Sequence, residues 1–183
     1  MAKLYLRRPE RRDGKEFVAA VKASESLHRP WVFPTQDLRG YYEYLERIQD
    51  VRQEGYFVCR VSDDRIVGLV NLGEVVRGAF QSAYVGYWAV AEFVGKGLMK
   101  EGLARVVERA FSEHGLHRLE ANIQPGNEPS RQLVRRLGFR LEGFSPKYLN
   151  VGGEWRDHER WALTAEEWPG VEAVLGQSGT RAD

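Results

Sequence analysis

The segment AEFVGKGLMKEG, residues 91–102, places two glycines and a lysine where a predicted strand ends and a predicted helix begins. The first turn of a helix presents N–H groups without intrahelical partners and the positive end of the helix dipole. Gly95 and Gly97 would let an anion approach these groups closely, and Lys96 would add positive charge. The segment is therefore either a phosphate-binding turn or an ordinary glycine-lined connection.

A second group of polar residues lies in NIQPGNEPSRQLVRRLGF, residues 122–139. Asn127 precedes a predicted helix, and Ser130 falls in its first turn. Asparagine is a favoured N-cap residue, so capping is one interpretation of Asn127. The other interpretation is that the Asn127 amide and the Ser130 hydroxyl face a ligand held beside the glycine segment. The residues alone leave both open.

Composition limits the classes of function. The chain has 183 residues and a formal net charge of +1, so no global field draws it to nucleic acid or to a membrane. No apolar run is long enough to span a bilayer, and the N-terminus lacks a signal peptide. The single Cys59 excludes an internal disulfide and fits a reducing cytoplasm. The four histidines lack metal-ligand spacing, so we expect no metal. Neither monomer nor homodimer is favoured.

Hydrophobic periodicity predicts the element order β-α-α-β-β-β-α-β-α-β-β. We expect one domain over residues 1–175 and a disordered tail at 176–183. The second helix is predicted over 35–55, with Thr35 as its N-cap and Gly55 at its end. Long antiparallel stretches surround one strand–helix–strand crossover, which predicts an α+β fold with a mixed sheet and helices on both faces.

Taken together, the glycine turn, the N-x-x-S spacing of Asn127 and Ser130, and the LGF that closes the next helix resemble the GNAT acyltransferase superfamily. The resemblance covers nearly the whole chain. Residues 117–163, and in particular YLNVGGEWRDH at 148–158 and the loop HRPWVFP at 28–34, are similar to the ribosomal-protein-alanine N-acetyltransferase branch. The implied fold has a mixed, mostly antiparallel sheet whose two central parallel strands splay apart.

The resemblance implies that acetyl-CoA lies in the gap between the splayed strands, here residues 84–90 and 117–123, with a bulge in the first of them. The family's pyrophosphate motif, Gln/Arg-x-x-Gly-x-Gly/Ala, falls on residues 92–97, where Glu92 departs from the pattern. We expect the pyrophosphate to be held by main-chain amides and Glu92 to point away. The implied cofactor-binding residues are Trp88, Ala89, Val90, Gly95, Lys96, Gly97, Leu98, Met99, Asn127 and Ser130.

The implied reaction is direct attack of an amine on the acetyl thioester. Ser130 would protonate the leaving thiolate, and an N–H near Val90 would hold the thioester carbonyl. No carboxylate offers itself as a base, so we expect deprotonation through water. The expected acceptor is the N-terminal α-amino group of a ribosomal protein. A small amine such as an antibiotic or a polyamine, and a non-catalytic CoA-binding module, are the alternatives. The candidate acceptor-binding residues are Trp31, Phe33, Tyr87, Tyr148 and Trp155.

Overall fold

A computed structural model describes residues 3–176. The predicted disordered tail lies outside these residues, except for Gly176, which ends the last helix. The helices are α1 (Gly14–Ala23), α2 (Glu25–His28), α3 (Leu38–Arg47), α4 (Leu98–Ser112), α5 (Glu128–Arg136) and α6 (Val171–Gly176). The strands are β1 (Leu4–Arg7), β2 (Glu54–Arg60), β3 (Ile66–Val76), β4 (Ser82–Ala89), β5 (Arg118–Ile123), β6 (Arg140–Val151) and β7 (Glu154–Thr164).

The strands form one sheet in the order β1-β2-β3-β4-β5-β7-β6. Every neighbouring pair is antiparallel except β4 and β5, which are parallel. This parallel pair is held only from Ser82 to Tyr84, opposite Arg118 to Glu120. Beyond that point β4 continues to Ala89 beside β3, and β5 continues to Ile123 beside β7. The two central strands therefore diverge, as the family resemblance implied.

Helices cover both faces of the sheet. Phe57 and Val58 are neighbours in β2, so their side chains point to opposite faces and identify the two sides. On one face, the Phe17 ring of α1 lies 6.2 Å from the Phe57 ring of β2. On the other face, α4 packs on Val58, and a Cβ at Gly102 would lie 2.5 Å from the Val58 side chain. Gly102 thus lets α4 approach the sheet closely.

Three local predictions are wrong. Asp37, not Thr35, caps α3, since its carboxylate accepts the Gly40 N–H at 2.8 Å. The helix ends at Arg47, and Gly55 belongs to β2, where a Cβ would lie 2.1 Å from the Tyr44 hydroxyl. Residues 25–35, whose two prolines and two large aromatic residues predict a loop, include the short helix α2.

The expected bulge is also on a different strand. The register of β4 runs without interruption from Tyr84 to Ala89, whereas β3 gains a residue between Gly73 and Val76. Glu74 stands in this bulge with φ of 50°, a left-handed conformation. The bulge therefore lies in β3, beside the point where β4 and β5 begin to diverge, and not in β4 itself.

Candidate functional site

The opening between β4 and β5 is flanked by two helix N-termini. Strand β4 leads through a short 3₁₀ turn, Ala91–Phe93, to α4, which begins at Leu98. Strand β5 leads through residues 124–127 to α5, which begins at Glu128. Because the two strands are parallel, both connections leave the sheet at the same edge. The positive ends of both helix dipoles therefore lie beside the opening.

The glycine segment is preformed for an anion. Gly95 and Gly97 have φ of 76° and 74°, which an L side chain rarely adopts. A Cβ built on either glycine meets no atom within 4 Å, so the space above both is open. Within residues 3–176, the N–H groups from Gly95 to Met99 donate no hydrogen bond to the protein. These donors are available to an anionic ligand.

Glu92 is neutralised by a residue that the sequence did not point to. Arg65 donates to both Glu92 carboxylate oxygens, at 2.6 and 2.5 Å, and this bond holds the pKa of Glu92 below its ordinary value. Arg65 and Lys96 also lie over the Phe93 ring, at 5.0 and 5.6 Å from its centroid. The departure from the family pattern at Glu92 therefore adds no uncompensated negative charge to the glycine segment.

Asn127 and Ser130 are joined by the cap of α5. The Asn127 side-chain oxygen accepts the Ser130 N–H at 3.3 Å, so the capping interpretation of Asn127 holds. The Ser130 hydroxyl lies 2.6 Å from the hydroxyl of Tyr87, on β4. Burial raises the pKa of Tyr87 to about 12, against the opposing effect of the bond to Ser130. The structure thus places Tyr87 with Ser130 rather than with the aromatic residues of loop 28–34.

The peptide groups at the end of β4 alternate in direction. The Val90 N–H donates to the Val67 carbonyl at 2.8 Å and so points to β3. The Trp88 main chain points the same way, since it lies two residues earlier. The Val90 N–H is already bonded within the sheet, so the N–H near Val90 that is expected to hold the thioester carbonyl is not that of Val90 itself. Ala89 faces away from β3, and its carbonyl accepts a hydrogen bond from His28 Nε2 at 2.8 Å.

One face of β4, formed by Tyr84, Gly86 and Trp88, has open space above Gly86, and we call this surface the open floor. Tyr84, Gly86 and Trp88 alternate onto this face, and the Trp88 ring packs against His28 at 5.2 Å. A Cβ at Gly86 would meet no atom within 4 Å, which leaves a gap between the two aromatic side chains. The Tyr148 hydroxyl lies 3.5 Å from that of Tyr84. This contact and burial raise the pKa of Tyr84, so its phenol is protonated at neutral pH.

Loop 28–34 is tied to three parts of the molecule around this floor. His28 binds Ala89, as described above. The Trp31 ring lies against Gly126, and the Trp31 carbonyl accepts from the Gln124 amide at 3.2 Å. The Phe33 ring covers Gly152 in the β6–β7 turn. Trp155, near the same turn, is 63% exposed, and among the described residues no aromatic ring contact joins it to Trp31 or Phe33.

Acidic side chains near the opening are engaged with arginines. Glu120, beside Tyr84 in the register, binds Arg118 at 2.8 Å. Two residues further along β5, the Asn122 side-chain oxygen is buried and has no hydrogen-bond partner among residues 3–176. Glu74 lies outside the opening, at the β3 bulge. Among the described residues, the register therefore puts a buried acceptor oxygen on β5 beside the opening, and the carboxylate two residues earlier, Glu120, is paired with Arg118.

Sequence reasoning missed Arg65, Tyr84 and His28. Strand alternation from Trp88 would have placed Tyr84 on the same face. The pairing of Arg65 with Glu92, across 27 residues, has no local signal. Among residues 3–176, no helix is both long and apolar enough to cross a membrane, and no cluster of His, Cys, Asp and Glu could hold a metal ion.

Comparison with known proteins adds an independent observation. The sequence model of the acetyltransferase (GNAT) domain matches residues 3–140. The chain is 36% identical over 156 residues to an Escherichia coli [ribosomal protein uS5]-alanine N-acetyltransferase, covering 79% of this chain and 80% of that one. It is 38% identical over 121 residues to the probable N-acetyltransferase YjcK of Bacillus subtilis, covering 66% and 67% of the two chains.

Solved structures agree with this. Mycobacterium smegmatis RimJ in complex with CoA-disulfide superposes with a TM-score of 0.88 at 30% identity, covering 96% of this chain and 89% of that one. Spermidine N-acetyltransferase from Vibrio cholerae, in complex with CoA and spermine, superposes with a TM-score of 0.77 at 22% identity, covering 90% and 97%. The second likeness is one of fold alone.

Proposed function

The chain belongs to the acetyltransferase (GNAT) domain family and is an acetyl-CoA-dependent N-acetyltransferase; on that premise we propose that it acetylates the N-terminal α-amino group of a protein, with ribosomal proteins as the substrate class. The observation that carries this proposal is the open floor at Gly86, lined by aromatic side chains and without an uncompensated carboxylate among the described residues. The relative named for uS5-alanine acetylation supports it. Such a substrate places the enzyme in the cytoplasm.

In this proposal acetyl-CoA enters between β4 and β5. The pyrophosphate binds the N–H groups from Gly95 to Met99, with Lys96 nearby. The Asn127 amide group contacts the pantetheine arm, and the thioester reaches the level of Ala89 and Ser130. The Ala89 N–H, which points away from β3 and lies next to Val90, holds the thioester carbonyl.

The chemistry then needs a neutral amine on the Gly86 side. An α-amino group has a pKa of roughly 7.7–8.0, against about 10.4 for a lysine side chain. A fair fraction of N-termini is therefore neutral near pH 7.5, and water can take the remaining proton. The buried Asn122 oxygen accepts a hydrogen bond from the amine or from that water. Nitrogen attacks the carbonyl carbon, the carbon–sulfur bond breaks, and Ser130 gives a proton to the thiolate.

The residues around the opening are less suited to binding the alternative acceptor, a polyamine, than a peptide N-terminus. A polycation binds best where several carboxylates are free to pair with its ammonium groups. Here Glu120 and Glu142 bind Arg118, and Glu159 binds Arg131. A peptide N-terminus carries one charge and brings an extended backbone that an open groove can accept. The charge pattern therefore favours a peptide over a polyamine.

The test is release of CoA thiol from acetyl-CoA with a panel of acceptors. The panel contains peptides that begin with Ala or Ser, the same peptides with a blocked N-terminus, spermidine and an aminoglycoside. We expect turnover with the free-N-terminus peptides and at least tenfold lower kcat/KM with every other acceptor. Equal or faster turnover of spermidine would overturn the proposal in favour of the small-amine alternative.

A further inference from the structure

The Tyr87 hydroxyl contacts Ser130, and this contact has no role in the reaction proposed above. Its side chain, on β4, crosses to the first turn of α5, where its hydroxyl lies 2.6 Å from Ser130 Oγ and 3.4 Å from the Ser130 carbonyl oxygen. A bond of 2.6 Å is at the short end for two hydroxyl groups, whereas 3.4 Å is beyond the usual range. The Tyr87 and Ser130 hydroxyls are therefore each other's main partner.

The chemistry of the two hydroxyls sets the direction of this bond. A phenol is a stronger acid than an aliphatic alcohol and so is the better donor. Burial also raises the pKa of Tyr87 to about 12, which keeps its proton in place throughout the physiological range. If Tyr87 donates to Ser130 Oγ, the serine's own proton is left for another acceptor. The position of Ser130 in the first turn of α5 is also fixed, because the Asn127 side chain accepts its N–H.

We propose that Tyr87 is a positioning residue for Ser130: it donates its hydrogen bond to Ser130 Oγ and thereby directs the Ser130 proton at the sulfur of the leaving CoA. This inference rests on the proposed function and on the role of Ser130 in it. Tyr87 itself touches neither reacting atom. Its assignment as an acceptor-binding residue is replaced by a role on the opposite face of β4 from Tyr84 and Gly86.

The proton balance of the step closes with water as the only co-reactant. The amine nitrogen forms the new bond to carbon and loses one proton to water. The electron pair of the broken carbon–sulfur bond stays on sulfur, which takes the Ser130 proton. Ser130 Oγ, which still accepts the hydrogen bond from Tyr87, regains a proton from water, and Tyr87 keeps its own proton. The products are the acetamide and the CoA thiol.

The experiment is a double-mutant cycle of Tyr87→Phe and Ser130→Ala, read by steady-state kinetics with acetyl-CoA and an N-terminal Ala peptide. We expect Tyr87→Phe to lower kcat by about tenfold, the order of one lost hydrogen bond, with KM for acetyl-CoA within about twofold. In the Ser130→Ala background, the same substitution should change kcat by less than about twofold. Multiplicative losses in the double variant would overturn the proposal, since Tyr87 would then act without Ser130.

Tyr44→Phe is the matched control. It also removes a buried phenol hydroxyl, which donates to Asn71 at 2.8 Å away from the opening. Both Tyr→Phe variants should lower the Tm similarly, but Tyr44→Phe should keep wild-type kcat. An equal loss of kcat in both would show a structural effect and sink the positioning role. The proposed function fails separately: either wild-type enzyme does not acetylate the peptide, or Ser130→Ala keeps full activity.

Discussion

The hydroxyl groups of Tyr87 and Ser130 lie 2.6 Å apart and join β4 to the first turn of α5 across the opening between the diverging strands. Beyond Tyr84 and Glu120 no backbone ladder connects β4 with β5. The pair therefore links the two sides of the site where the sheet does not. It also brings the residue expected to meet the thioester sulfur next to a buried phenol, which is the basis of the positioning role.

The glycine segment gives the first prediction, on Gly97. Gly97→Ala should fold, because a Cβ there meets nothing within 4 Å, at a cost of about 1–2 kcal/mol for the left-handed conformation. Its Cβ would intrude on the space assigned to the pyrophosphate, so we expect at least tenfold weaker acetyl-CoA binding by calorimetry. Gly97→Pro should abolish binding altogether.

Gly78→Ala is the control for that substitution. Gly78 has φ of 69° and equally open surroundings, but lies in the turn between β3 and β4. It should lose similar stability and keep its affinity for acetyl-CoA. If Gly97→Ala also kept its affinity, the pyrophosphate would not lie against Gly97.

Glu92 gives the second prediction. Glu92→Gln removes the charge that Arg65 neutralises, and leaves the Arg65 guanidinium with an unmatched positive charge beside the glycine segment. Acetyl-CoA binding should be unchanged or up to severalfold tighter, and any gain should vanish in Glu92→Gln/Arg65→Met. Titration calorimetry at low salt would show this best, because exposed charges are screened. Weaker binding in the single variant would mean that Glu92 itself supports the cofactor.

The third prediction concerns the pH dependence of the rate. With an α-amine acceptor, kcat/KM should rise through a single ionisation at roughly pH 7.7–8.0, where the amine loses its proton. It should then stay level to about pH 10, because the pKa of Tyr87 is raised to about 12 and its phenol remains neutral. A falling limb between pH 8.5 and 10 would contradict a protonated Tyr87.

The fourth prediction concerns stability. Burial lowers the pKa of His28 below its ordinary value of 6.5, against the opposing effect of the bond to Ala89. The unfolded chain therefore takes up this proton at a higher pH than the folded chain. The stability from neutral His28 is complete above about pH 6.5 and is lost as the pH falls toward the folded-state pKa.

Thermal melts between pH 7 and 5 measure this contribution. His28→Gln, whose amide can still donate to the Ala89 carbonyl, should lose Tm less steeply below about pH 6.5 than the wild type. Parallel curves for His28→Gln and wild type would show that His28 is not buried in its neutral form.

Much of the fold was readable from local patterns. Alternation and helical spacing predicted the order of the main elements, and the glycine and N-x-x-S motifs predicted the two helix N-termini at one edge. Helix ends were less predictable, because Gly55 reads as a stop signal but serves in β2 to make room for the Tyr44 hydroxyl. That requirement comes from packing between α3 and the sheet, which no local pattern contains.

Which candidate residues lie close together was easier to predict than the direction in which their polar groups point. Ser130 and Asn127 lie together at the start of α5, as their spacing suggested. The direction of the Val90 N–H depends on the register of β3 and β4, and the partner of Glu92 is 27 residues distant in the chain. Alternation puts Tyr87 on the opposite face of β4 from Trp88, but its contact with Ser130 depends on how β4 and α5 pack, which no local pattern contains.

The most direct test of α-amino acetylation locates the acetyl group on a peptide that offers both kinds of amine. A peptide with a free N-terminal Ala and one internal lysine is incubated with enzyme and acetyl-CoA, and the product is sequenced by tandem mass spectrometry. We predict acetyl on the α-amino group and at most a trace on the lysine. Acetylation mainly on the lysine, or acetylation of spermidine but not of the peptide in a mixed reaction, would contradict it.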